Sequence, residues 1–193
     1  MSCIIGYVDG DKTYIASDSA AINDQCLSSR TSVDKVFPKG NMIFGVAGSF
    51  RIGQILRYNF IQPEHPENMN DMEYLCSVFV DSMIECFKQY GSGAQNENEI
   101  LFDGSIIISY RGKIYNIEED FSVFEGNKFM ATGCGEDYAL AALYALENST
   151  CADDIITKIH IAMKASYQYS IGVRPPFYCY VSNSKDFEIF EMK

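Results

Sequence analysis

Apolar residues follow two rhythms along this chain. Short runs bounded by turn residues recur near its start, middle and end. Residues 3–8 and 13–16 flank Asp9-Gly10-Asp11-Lys12, where the Asp-Gly pair suits a tight hairpin turn. Residues 35–37 and 42–46 flank Pro38-Lys39-Gly40-Asn41, residues 105–110 and 113–117 flank Arg111-Gly112, and residues 177–181 and 187–190 flank residues 182–186. Stretches of helical period lie between these hairpins. One spans 49–58, directly after a glycine, and another spans 71–90, with Leu75, Phe79, Met83 and Phe87 on one stripe. Residues 136–146 are rich in Ala and Leu. Residues 152–170 follow an acidic start at Asp153-Asp154 and carry Ile155, Ile159, Ala162 and Ser166 on one face.

The resulting order is strands, two helices, strands, two helices, strands. Grouping of this kind argues against a parallel, doubly wound sheet. It predicts an α+β fold: a four-layer αββα sandwich of two antiparallel sheets, with a helix pair on each outer face. An internal echo accompanies the order. Ile4-Ile5-Gly6-Tyr7 before one turn resembles Ile107-Ile108-Ser109-Tyr110 before another, and residues 42–48 before a helix resemble residues 129–133 before a helix. Residues 91–98 read as a polar, disordered loop too short to link domains, so residues 1–193 are expected to form a single domain.

Charge narrows the partners. The formal net charge is −11 and no Lys/Arg cluster is present, so phosphate backbones and anionic lipid surfaces would repel the chain. Neither nucleic acid nor membrane is expected as a partner. The first residues lack the basic and long apolar regions of a signal peptide. The seven cysteines lie in apolar segments without Cys-x-x-Cys spacing, which reads as buried thiols in a reducing cytoplasm.

Familiar catalytic patterns are missing. His65 sits in a Pro-rich loop and His160 in a helical stretch, neither at ligand spacing from Cys or carboxylates, so no metal is expected. There is no Gly-x-Ser-x-Gly elbow and no phosphate-binding glycine loop. An ordered series remains. Ser2 precedes the apolar Ile4-Ile5, and Tyr14-Ile15-Ala16-Ser17-Asp18-Ser19 comes one hairpin later. Val33-Asp34-Lys35-Val36-Phe37, Ile43-Phe44-Gly45-Val46-Ala47-Gly48-Ser49 and Ala131-Thr132-Gly133-Cys134-Gly135-Glu136-Asp137-Tyr138-Ala139 follow. In that order and spacing the chain resembles proteasome β subunits and bacterial HslV peptidase, within the N-terminal-nucleophile hydrolases, over nearly its whole length.

The resemblance implies roles. Removal of Met1 would expose Ser2 as a nucleophile, with its own α-amino group, a base that ordinarily titrates near about 8, as general base. Asp18 matches the family's buried aspartate and Lys35 its strand lysine, whose ammonium favours loss of the hydroxyl proton. Gly48 matches the glycine whose N–H forms the oxyanion hole. Taken singly, Ser2 could be a plain terminal residue, Asp18 a turn organiser, Lys35 a hairpin lysine and Gly48 a helix start. Three positions depart from the family. Serine replaces the usual threonine, Cys134 stands in the Gly-x-Gly loop where the family has a serine, and Tyr169 stands where the proteasome has a supporting aspartate, with Ser170 as an alternative. Cys3 would become a terminal thiol nucleophile on further trimming. The implied activity is hydrolysis of unfolded peptide or protein, without a cofactor, in a cytoplasmic homo-oligomeric ring that an ATPase unfoldase could serve. A catalytically inactive ring-forming homologue and an amidohydrolase acting on a small amide are the rival readings.

Overall fold

The apolar runs become strands because a layer covers each of their faces. In β1 (Ile4–Asp9), Ile4 packs with Ile15, Val36, Ile43, Ala47, Ile107 and Ile114, whereas Ile5 and Tyr7 pack with Ala16, Ala139, Leu143 and Met163. Successive side chains leave a strand on opposite faces, so a run without polar positions needs apolar neighbours on both sides. In β6 (Met42–Gly48), Ile43 and Ala47 face the first cluster, while Met42, Phe44 and Val46 face a third one under helices.

The computed structural model describes residues 1–22, 28–30, 35–91, 94–96, 99–150, 154–182 and 187–192. After β1 come β2 (Lys12–Ser17), β3 (Ala20–Ile22), β4 (Ser28–Arg30), β5 (Val36–Lys39) and β6. Helix α1 (Phe50–Tyr58) is followed by α2 (Asp71–Tyr74), which runs through a π-helical turn (Leu75–Phe79) into α3 (Val80–Gln89). Then come β7 (Ala94–Asn96), β8 (Glu99–Leu101), β9 (Gly104–Tyr110), β10 (Lys113–Ile117), β11 (Val123–Gly126) and β12 (Phe129–Thr132). Helices α4 (Glu136–Glu147) and α5 (Ile155–Tyr169) precede β13 (Phe177–Ser182) and β14 (Phe187–Met192).

The strands form two five-stranded antiparallel sheets, ordered β12-β1-β2-β13-β14 and β11-β10-β9-β6-β5. Helices α1 to α3 cover the second sheet, and α4 and α5 cover the first. The architecture is the expected four-layer αββα sandwich. The internal echo has a structural counterpart: β12-β1-β2 in one sheet corresponds to β6-β9-β10 in the other, and β6 and β12 each lead into a helix.

Local chemistry explains the turns. Arg111 and Gly112 both have positive φ (49° and 77°), as the tightest hairpin turn requires. Pro38 is tolerated because β5 lies at a sheet edge. Asp154 caps α5 by accepting from the Thr157 N–H at 3.1 Å. The stripe Leu75, Phe79, Met83 and Phe87 is fully buried, π-helical turn included. His65 is structural: its ring lies 2.7 Å from the Tyr110 hydroxyl and 2.9 Å from the Met69 carbonyl, and stacks on Tyr74. Lys128 and Lys158 hold Glu147, to which Tyr7 also donates, and these donors bring the Glu147 carboxyl down to about 2.

Two expectations are corrected. The 91–98 segment is not simply a loop, because β7 pairs with β8 in a small hairpin; residues 92, 93, 97 and 98 lie outside the described residues. Of the described cysteines, Cys3, Cys86 and Cys179 are buried as expected, but Cys76 and Cys134 are exposed. The expected features at residues 33–34, 152–153 and 183–186 also lie outside the described residues.

Close approach of the sheets depends on Gly45. A Cβ there would lie 2.5 Å from Ile4 Cγ2 and 2.8 Å from Ile15 Cγ2. Gly45→Ala should therefore cost about 1–3 kcal/mol by overpacking. The check is the chemical-denaturation midpoint, and an unchanged midpoint would refute this account of the interlayer gap.

Candidate active site

Four strand ends meet at one end of the sandwich. Ser2 leads into β1 and Asp18 follows β2 in the first sheet; Lys35 leads into β5 and Gly48 ends β6 in the second. Strand alternation sets where the first side chains go. Ser2, in step with Ile4, lines a recess shared with Lys35, Phe37, Val46, Gly48, Ser49, Phe50 and Gly53 of the second-sheet side. Cys3, in step with Ile5, joins the core under α4 and α5, where burial pushes its thiol up to about 12. A fully buried thiol of that kind is mostly protonated and inert near neutrality.

Asp18 is the most heavily bonded side chain of the group. Its Oδ1 accepts from Lys35 Nζ at 2.7 Å and from the Cys3 N–H at 3.0 Å. Its Oδ2 accepts from the Ala20 N–H at 2.9 Å and from the Arg174 N–H at 3.3 Å. The Asp18 side chain is 0% exposed and that of Lys35 4%. A buried charge pair is sustained when geometry is good and the remaining lone pairs are satisfied, and here both conditions hold. The ammonium therefore stands fixed in the same recess as Ser2.

Glycines let the backbone close around Ser2. The loop after β12, Gly133-Cys134-Gly135, wraps its carbonyl oxygen: the Gly135 N–H donates at 3.2 Å and the Cys134 thiol at 3.5 Å. A Cβ on Gly133 would lie 2.4 Å from that oxygen, and its φ of 94° also favours glycine. Gly48, with φ 107°, lies against β9, so that a Cβ would come within 2.5 Å of Asp103 O and Gly104 Cα. With Met1 attached, the Ser2 nitrogen is an amide, and Ser2 Oγ donates to the Met1 carbonyl at 2.5 Å.

The six residues expected at the site fall into two groups. Ser2, Lys35 and Gly48 line the recess, with Asp18 directly behind Lys35. Cys134 and Ser170 lie outside the recess, on the side of the Ser2 carbonyl: the Cys134 thiol donates to that carbonyl, and the Ser170 hydroxyl donates to Cys134 Sγ at 3.3 Å. Tyr169 is not among them: it is 69% exposed and pairs with the ring of Tyr138, whereas Ser170, the C-cap of α5, points inward.

Two further residues join the site. Ser166 is fully buried; its hydroxyl donates to the Gly135 carbonyl at 2.8 Å and accepts from the Cys3 thiol at 3.5 Å. Its signal was a lone hydroxyl on an otherwise apolar helical stripe. Arg174, through its backbone contact with Asp18, gave no sequence signal at all.

No protein-family model and no curated protein sequence matches this chain. Solved structures do. BPH from Thiobacillus denitrificans, determined in complex with epoxomicin, superposes with a TM-score of 0.79 at 18% identity, covering 95% of this chain and 100% of that one. Eukaryotic HslV from Trypanosoma brucei gives 0.66 at 17% identity, over 98% and 99% of the two chains. A variant of Anbu from Hyphomicrobium gives 0.71 at 11% identity, over 99% and 87%. At these identities the likeness carries the fold: the chain has the proteasome-like sandwich architecture of HslV, BPH and Anbu.

Proposed function

We propose that this chain is an N-terminal-nucleophile peptidase whose nucleophile is Ser2, exposed by removal of Met1. The observation that carries the reading is the buried Lys35–Asp18 pair held in the same recess as Ser2, at the head of β1. Once Met1 is cleaved, the Ser2 amide becomes a free amine beside its own hydroxyl. That amine takes the hydroxyl proton as Oγ attacks a peptide carbonyl, and returns it to the leaving amine. Lys35, held by Asp18, stabilises the developing oxyanionic character of Oγ. Gly48 lets the carbonyl approach the backbone without a side chain in the way, and supplies the oxyanion-hole N–H. Phe37, Val46 and Phe50 make the recess apolar, which suits an apolar substrate side chain on the acyl side of the scissile bond.

Unfolded peptides are the proposed substrate, a homo-oligomeric ring the proposed assembly, and the cytoplasm the proposed location, with an ATPase unfoldase as the proposed feeder of substrate. No helix among the described residues is long and apolar enough to cross a membrane. Exposed apolar groups on the α4–α5 layer, Tyr138, Tyr144, Ile161 and Tyr169, fit contact with neighbouring copies.

Protein purified from its native host should have the intact mass of a chain starting at Ser2. Ser2→Ala should abolish hydrolysis of an unstructured fluorogenic peptide while leaving circular dichroism unchanged. Full activity in Ser2→Ala would overturn the assignment, and labelling of Ser2 by epoxomicin without peptide turnover would favour the small-amide reading.

The Gly-x-Gly loop gives a second expectation. Cys134→Ser replaces a weak donor with a stronger one at the Ser2 carbonyl, 3.5 Å away. It should raise the single-turnover rate by roughly tenfold, the worth of one modest hydrogen bond. Absence of turnover and of probe labelling in both processed forms would support the inactive, ring-forming reading instead.

Assembly is checked by light scattering. A ring-sized particle is expected, and a monomer mass over a wide concentration range would reject it.

A further inference from the structure

We infer that Arg174 is a positioning residue for this site: its guanidinium locks the segment after α5 so that its backbone holds Asp18 in place. This rests on the peptidase reading for its kinetic consequence, though not for its structural one.

The end of α5 poses a problem that Arg174 resolves. No basic residue lies in the helix's last turn, and the chain must reverse between Ser170 and β13. The Arg174 Nη1 donates to the Ser170 carbonyl at 3.2 Å and to the Val173 carbonyl at 2.6 Å, and the guanidinium lies over the Tyr167 ring at 5.5 Å. A planar, multi-donor cation can bridge two carbonyls and stack at once, which a point-charge ammonium does less well. With the turn closed, the backbone of the same residue docks on the site. Its N–H reaches Asp18 Oδ2 at 3.3 Å, while its carbonyl accepts from the Ser19 N–H at 3.0 Å and from the Ser19 hydroxyl at 3.3 Å.

The closed segment also touches the opposite side of the site. Ser170 donates to Cys134, and Gly172 packs so tightly that a Cβ there would lie 2.3 Å from Cys134 Sγ and 2.8 Å from Met1 Cβ. One side chain thus holds both the Asp18 corner and the loop that wraps Ser2. Loss of the guanidinium frees the turn, draws the Arg174 backbone N–H away from Oδ2, and lets the carboxylate rotate away from Lys35. Misplacement of about 1 Å at a reacting group can cost on the order of a hundredfold in rate.

The experiment uses the full-length processed protein with Arg174→Ala and Arg174→Lys. Peptide hydrolysis should show kcat lower by about ten- to a hundredfold in Arg174→Ala, with KM within about twofold, because the substrate recess is untouched. Arg174→Lys should recover part of that loss, as an ammonium can still reach one carbonyl. Crystal structures of the wild type and of Arg174→Ala supply the arm independent of activity: the 170–174 segment should shift and the Lys35–Asp18 contact of 2.7 Å should lengthen or rotate. A variant structure with that contact and segment unchanged would overturn the inference even if the wild type hydrolyses nothing. Unchanged kcat in Arg174→Ala, or Arg174→Lys no better than Arg174→Ala, would overturn it in an active enzyme.

Discussion

A single buried carboxylate ties this end of the molecule together. Asp18 collects four donors from four separate places in the chain: the head of β1, the start of β3, the residue before β5, and the segment after α5. A fully desolvated charge without partners would be prohibitive, so each of these segments is drawn to it. The pair with Lys35 also crosses between the sheets, since Asp18 belongs to the first and Lys35 to the second. Removing one partner of such a pair typically costs about 3–5 kcal/mol, because the other charge is left buried and uncompensated. The carboxylate therefore organises the fold at this end as well as fixing the ammonium beside Ser2.

Around that charge, backbone comes closer to backbone than side chains would allow. Gly45 lets the two sheets meet over Ile4 and Ile15, Gly48 meets Gly104, and Gly133 meets the Ser2 carbonyl. Gly135 packs on Cys3 and Ser166 with no room for a methyl, a Cβ there falling within 3.0 Å of both. Close packing transmits position with little slack. Ser2, the proposed nucleophile, would otherwise fray, as residues near a chain end commonly do. Here β1 is held inside its sheet between β12 and β2, and the Gly-x-Gly loop grips the carbonyl of Ser2 itself.

Buried hydroxyls mark a second theme. Thr13 bonds Ser109 and Ser105 bonds Thr132, both across the gap between sheets. Each pair satisfies itself, so the interlayer remains apolar in effect while its register gains directional contacts. The Ser105–Thr132 pair joins β9 to β12, the strands that continue from Gly104 and lead into Gly133, and so ties together both glycine loops of the site.

Much of this was legible in the sequence, because it is encoded locally. The hairpins at Gly10, Gly40 and Arg111-Gly112 follow from residues that tolerate positive φ, and the stripe through Leu75, Phe79, Met83 and Phe87 follows from helical period. Uninterrupted apolar strands such as Ile4–Tyr7 required covering layers on both faces, which already implied a sandwich. The ordered series Ser2, Asp18, Lys35 and Gly48 was readable too, as a resemblance. Contacts between distant segments were not. The hairpin of Ala94–Asn96 with Glu99–Leu101 lies in largely polar sequence without periodicity, the choice between Tyr169 and Ser170 was left to the structure, which turns Ser170 inward, and Cys134 proved exposed. Above all, Arg174 reaches Asp18 through its backbone, and a backbone N–H carries no sequence signature. Sequence alone determined which residues could bear charge, turn or burial; only the tertiary structure decided which of them share the cost of burying Asp18, because its donors converge from separate strands and, for Arg174, from a segment more than a hundred residues away.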